Sequence, residues 1–372
     1  MSEEAPEPDR VAGHPHPRET RALHGQAAAE RAFLAAWAEG RLPHGWLLRG
    51  PRGVGKATLA YRIARALIAG GPGGLADAVP ASLDPPEGCK VAARIRAQAE
   101  PRLRVLRRTV NEKTGRLRTQ ILVDDVRAVR RFLSLSIPDG GWRAVIADPA
   151  DEMNASAANA LLKVLEEPPV RTALMLVAHV PSRLLPTIRS RCRNLDLRPL
   201  GPADLAAALA GTGVEVGPDE AATLAVLAGG SVGEALRLAA GGGVALYGRI
   251  VGALGEGRGI DRARMVALAD EAGRRGAEEL YALAGRLILT LVGRLARHGV
   301  AEVESPEAAP GEAALMAAVA RSPAQAALWA EASARVGAAL SHARAVNLDP
   351  GLTIIDTFLD LDATLARARE AG

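Results

Sequence analysis

The sequence predicts an α/β domain built on a parallel sheet, followed by two all-helical regions. Three observations predict it. Short apolar segments at 45–48, 144–147, 173–178 and 195–197 alternate with helical patterns over the first 200 residues, the mark of a sheet covered on both faces. A glycine-rich loop at 50–56 stands between the first of these segments and a helix. Beyond Pro199 the periodic segments are helical.

The elements follow in order. Residues 1–20 read as a flexible arm, acidic and Pro-rich at its start. A helix over 26–39 places Phe33, Leu34 and Trp37 at helical spacing, and the strand at 45–48 follows. The helix after the loop carries Leu59, Ile63, Ala66 and Leu67 on one face. The Gly/Pro-rich stretch 70–86 reads as a loop. Two strand-type segments, 103–108 and 119–123, flank a polar tip at 112–116, and 126–135 is helical. After the sheet come three short helices, 202–210, 218–228 and 232–239, and then the triple glycine 241–243 as a boundary. From 244 onward the pattern is helical, broken by an acidic loop at 302–311. There is no internal repeat.

Composition narrows the function classes. At 372 residues the chain is long enough for two or three domains, and 48% apolar residues make it globular. The first 15 residues lack the apolar run of a secretory signal. The longest apolar run, 287–293, is flanked by Arg286 and Arg294 and is far short of the roughly 20 residues of a membrane helix. A soluble, cytoplasmic protein with no membrane partner is expected. Two cysteines, Cys89 and Cys192, are too few for a disulfide framework or a structural zinc site, so no metal is expected. The net charge of +4 is a weak sign of nucleic acid, because only Lys56, Lys90, Lys113 and Lys163 among 46 basic residues are lysine. Such an arginine bias, in an Ala- and Gly-rich chain, is what a GC-rich genome imposes. At 3% aromatic residues, base-stacking platforms are disfavoured.

The loop Gly50-Pro51-Arg52-Gly53-Val54-Gly55-Lys56 has the phosphate-loop pattern in its required context of strand, loop and helix. Gly50, Gly53 and Gly55 allow backbone N–H groups to turn inward around phosphate oxygens, and Lys56 adds a full charge. The next position should carry the hydroxyl that binds Mg²⁺, and it is Ala57. Thr58 is turned away from that position by about 100° on the helix. Asp148, at the end of the strand 144–147, suits a Walker B aspartate, but Pro149 follows where a hydrolysing enzyme needs a Glu. Glu152 would serve only if the loop folded back. Two catalytic positions are missing, which predicts a site that does not hydrolyse nucleotide.

Between Asp148 and Cys192 the pattern becomes more particular. The string Asn159-Ala160-Leu161-Leu162-Lys163-Val164-Leu165-Glu166-Glu167-Pro168-Pro169 is an amphipathic helix stopped by two prolines. After the next strand comes Ser190-Arg191-Cys192. On these residues the chain resembles the bacterial clamp-loader subunits of the AAA+ superfamily, strongly over 24–67 and 142–200 and loosely beyond. The resemblance implies an AAA+ domain over 21–200, a helical lid over 201–243 and a helical collar for oligomerisation over 244–372. It also implies that Arg191 is an arginine finger, a planar permanent cation acting on ATP held by a neighbouring subunit.

Other positions depart from the hydrolysing members of that family. Gly233 stands where the lid arginine is expected after Gly230-Ser231-Val232, and His179 stands where a Thr or Asn is more usual. The cis elements are lost at Ala57, Pro149 and Gly233 while Arg191 is kept. This combination resembles the δ′ subunits, as does Asn347-Leu348-Asp349 before the final helix. Many relatives carry a four-cysteine zinc module in the first domain, but Cys89 stands alone there, so no zinc is expected. The resemblance implies γ/τ and δ subunits as partners in a hetero-pentamer, with the sliding clamp and primed DNA met through the assembly. Whether ATP or ADP still enters the degenerate loop stays open. The alternatives are an active γ/τ-like ATPase and another DNA-associated AAA+ protein, such as a branch-migration helicase. A small-molecule kinase is the weakest, since the helical regions would have no purpose in it.

Overall fold

A computed structural model describes residues 7, 10–40, 42–70, 82–84, 87–111, 113–135, 140–300 and 306–371. Parts of the loops expected at 70–86 and 302–311, and Glu112 of the polar tip, lie outside the described residues. The chain forms two compact units, Met1–Glu215 with Ser231–Gly233, and Val216–Gly230 with Glu234–Gly372. The 201–243 segment read as a lid is thus divided between them.

Among the described residues the first unit holds a five-stranded parallel sheet in the order β2-β3-β4-β1-β5. The strands are β1 (Gly45–Arg49), β2 (Leu103–Leu106), β3 (Arg143–Ala147), β4 (Thr172–Ala178) and β5 (Arg193–Asp196). β3 and β4 are buried at every position, as continuous apolar runs in a doubly covered sheet should be. The covering helices are α1 (Ala27–Ala38), α2 (Lys56–Ala69), α3 (Lys90–Arg96), α4 (Val123–Ser134) and α5 (Ala155–Glu166). One core joins Val126, Val129 and Leu133 of α4 to Leu161 and Leu165 of α5 and to β3 and β4. With α6 (Pro186–Arg189) and α7 (Pro202–Ala210) this is the α/β domain on a parallel sheet that the sequence predicts.

The segment 119–123 is not a sheet strand. Ile121 makes a single bridge to Met153, and the Asp125 carboxylate accepts from Leu122 N–H at 2.9 Å, which starts α4 at Val123. A local cap outcompetes the strand pattern there. The arm is not loose over its described part. Glu7 binds Arg18 at 2.7 Å and Arg107 at 3.1 Å, and His16 stacks edge-on against Tyr61. Arg65 of α2 donates to the carbonyls of Arg18 and Thr20, and Arg62 to that of Arg21. The arm therefore covers the polar side of α2, which is why Arg62 and Arg65 are buried although the sequence shows only one apolar face.

The second unit is helical: α8 (Pro218–Leu227), α9 (Val232–Ala240), α10 (Gly243–Ala253), α11 (Arg262–Ala272), α12 (Glu278–His298), α13 (Glu312–Val319), α14 (Pro323–Ala345) and α15 (Pro350–Glu370). α12 packs on α14 and α10, burying Ala284, Leu287, Ile288, Leu291 and Leu295, and α11 and α14 pack on α15. Among the described residues no single helix is long and apolar enough to cross a membrane.

Candidate functional site

The phosphate loop joins the C-terminal end of β1 to α2, the end of a parallel sheet where ligands bind. Gly50, Gly53 and Gly55 have φ of 146°, 75° and 101°, which a side chain would strain. Space forbids one as well. A Cβ at Gly50 would lie 2.3 Å from the Leu197 carbonyl oxygen, and one at Gly53 would lie 2.1 Å from the Ser231 hydroxyl. The loop is also braced from outside, since Gln26 donates to the carbonyls of Val54 (3.1 Å) and Arg198 (2.7 Å).

Lys56 is 3% exposed, and its ammonium donates to the Gly50 carbonyl at 2.6 Å and to that of Pro51. Burial pulls its pKa down to about 8, against the pull of Asp148 and Asp151. Asp148 is itself buried at the end of β3. Asp151 accepts from the backbone N–H of His179 (3.0 Å) and Val180 (2.9 Å), tying the end of β4 to the turn after β3. His179 is pushed down to about 4 by burial and then by the charges of Lys56 and Arg52, so it is neutral at pH 7. Val232 N–H donates to the Gly53 carbonyl at 2.9 Å, so Gly233 does stand beside the loop, with no side chain to offer.

Ala57 and Pro149 leave this group without a hydroxyl or carboxylate in the positions that hydrolysis of magnesium nucleotide needs. Glu152, the substitute weighed from the sequence, is paired with Arg52 at 2.6 Å and with Arg108 at 2.9 Å. The three glycines, Lys56 and Asp148 thus come together, while Ala57 and Pro149 add neither a hydroxyl nor a carboxylate.

Arg191 lies elsewhere. A Cβ at Gly45 would stand 3.1 Å from the Arg191 carbonyl oxygen, so Arg191 sits at the N-terminal end of β1. The phosphate loop begins five residues later at the other end, about 17 Å away along an extended strand. The Arg191 side chain is 38% exposed; it forms an ion pair with Glu166 at 2.9 Å and donates to the Thr187 carbonyl at 3.1 Å. The sequence brings Gly50, Gly53, Gly55, Lys56 and Asp148 into one place and Arg191 into another.

A model of the family described as DNA polymerase III, delta subunit, matches residues 25–201. The DNA polymerase III subunit delta' of Pseudomonas aeruginosa is 41% identical over 149 residues, covering 40% of this chain and 41% of that one. The subunit delta' of Escherichia coli is 34% identical over 206 residues, covering 55% and 57%. Over this stretch the chain is similar to the δ′ subunits. It is also similar to the subunit gamma/tau of Mycobacterium tuberculosis, 30% identical over 187 residues, covering 50% and 30%. The chain spans about half the length of the curated δ′ relatives it matches.

Arg52, Arg108 and Asp151 also shape the site, and sequence reasoning passed over them. Arg52 lies inside the phosphate loop itself, which is the signal that was there to be read. Nothing local marks Arg108 or Asp151, whose roles depend on partners some 30 to 45 residues away.

Proposed function

We propose that the chain works as the δ′ subunit of a DNA polymerase III clamp loader in the bacterial cytoplasm. It assembles with γ/τ and δ subunits in a hetero-pentamer through its helical collar. It does not hydrolyse ATP. It offers Arg191 to ATP held by a γ/τ neighbour, and so helps to load the sliding clamp on primed DNA during replication.

The observation that carries this reading is the placement of Arg191 and the phosphate loop at opposite ends of β1. A finger about 17 Å from its own loop acts on another chain's nucleotide or on none. The missing ligands at Ala57 and Pro149, and the pairing of Glu152 with arginines, support the silent cis site.

The test is ATP turnover by the purified chain, alone and then mixed with its γ/τ and δ partners. Alone it is silent. In the mixture turnover appears and falls severalfold in Arg191→Ala, with the assembly intact by size-exclusion chromatography. Such fingers are worth roughly 10³–10⁵ at a single site. Turnover that ignores Arg191→Ala would sink the finger. Turnover by the chain alone, lost in Lys56→Ala, would favour a γ/τ-like motor, the reading to which the Mycobacterium tuberculosis relative lends weight.

A further inference from the structure

We propose that Glu166 is a positioning residue for Arg191, setting the guanidinium for a phosphate on the neighbouring subunit. The inference rests on the finger reading above and adds a residue to it.

Three features of the structure carry it. The first is a shared floor. Without a side chain, Gly45 lets three groups close over it: a Cβ there would stand 3.1 Å from the Arg191 carbonyl oxygen, 3.1 Å from Leu165 Cδ2 and 3.2 Å from Cys192 Sγ. The end of α5 and the backbone of Arg191 are thus seated on one point of β1. The second is the pinning of that helix end, since the His44 ring bonds the Leu165 carbonyl at 2.9 Å. Glu166 therefore projects from a fixed base.

The third feature is how the guanidinium is held. Nη2 meets Glu166 Oε1 at 2.9 Å, and Nη1 donates to the Thr187 carbonyl at 3.1 Å. Two contacts on different atoms fix both the direction and the rotation of a planar group, which one contact cannot do. The first is an ion pair and the second a hydrogen bond that engages one of the five N–H donors, so others remain for an incoming anion. Both side chains are partly exposed, so an approaching phosphate can reach the free donors without unpacking the fold. A side chain already oriented loses less freedom when the phosphate arrives, and that is the rate advantage of a preset donor.

The experiment measures the Arg191-dependent part of turnover: the assembled complex with this chain wild type, less the same complex carrying Arg191→Ala. Glu166→Ala removes at least two thirds of that part, with KM for ATP and assembly unchanged. Glu166→Gln restores at least half of what is lost, because an amide of the same length keeps a polar oxygen beside the guanidinium. The double variant Glu166→Ala/Arg191→Ala turns over no more slowly than Arg191→Ala alone. A purely structural role for Glu166 would instead lower assembly or shift the thermal midpoint of the chain, and that result overturns the proposal. Full Arg191-dependent turnover in Glu166→Ala overturns it too, and higher turnover would mean that Glu166 restrains the finger. If Arg191→Ala changes nothing, the finger reading itself has failed; if only Glu166→Ala changes nothing, positioning alone has failed.

Discussion

The Arg52 guanidinium in the phosphate loop meets the Glu152 carboxylate in the turn after β3 at 2.6 Å. Glu152 also faces Arg108 from the end of β2 at 2.9 Å, so one carboxylate joins three segments around the cradle. Arg52 is 68% exposed, whereas the Glu152 side chain is only 16% exposed. The two ends of the pair are therefore unequal.

Removing the less exposed end should cost more. Glu152→Ala leaves Arg108 with its charge uncompensated and is expected to lower stability by about 1–3 kcal/mol. Arg52→Ala breaks a pair at its exposed end and should cost under about 1 kcal/mol. Urea unfolding of the two variants checks the order, and equal losses would contradict it.

Lys56 points back to its own loop carbonyls rather than outward. If the cis site is silent, Lys56→Ala leaves the turnover of the assembled complex within about twofold of wild type, a margin far inside the effect of losing a working catalytic group. A loss as large as that of Arg191→Ala would mean the cradle works as a motor site.

Lys56 also makes stability depend on pH. Its folded pKa of about 8 lies below its ordinary value of 10.5 because burial disfavours the charge. Between those values the unfolded chain binds more protons, so stability rises with pH through that window. The cost is fully present below pH 8 and fades above it. Relative to Lys56→Met, the wild type should gain about 2 kcal/mol between pH 7.5 and pH 10. Unfolding titrations of both chains at the two pH values read this difference, and parallel curves would refute it.

In the helical unit, Glu312 is fully buried between three partners. Arg294 donates to it at 2.6 Å, Tyr247 at 2.5 Å and Ala308 N–H at 2.6 Å. The Tyr247 hydroxyl is held far above its usual range, first by burial and then by the carboxylate. Glu312→Ala strands the buried Arg294 and should cost about 3–5 kcal/mol. Tyr247→Phe removes one bond and should cost about 1–2 kcal/mol. Thermal unfolding of the two variants gives the ranking.

The sequence by itself determined the parts of this protein that are written within a few residues of each other. The phosphate loop and its defect at Ala57 lie in one octapeptide, and the defect at Pro149 directly follows Asp148. Strand and helix periods showed the α/β class, because alternation between apolar runs and helical spacing is a local pattern. The same reading misjudged 119–123, where the Asp125 cap decides the outcome. Tertiary structure alone decided that Lys56 turns to Gly50, that Glu152 is taken by Arg52 and Arg108, and that the arm covers Arg62 and Arg65. It also decided that Arg191 stands at the far end of β1 from the loop, beside Glu166. In a chain with 46 basic and 42 acidic residues, nearly any pairing is chemically allowed. Only the packing of the sheet selects which ones meet.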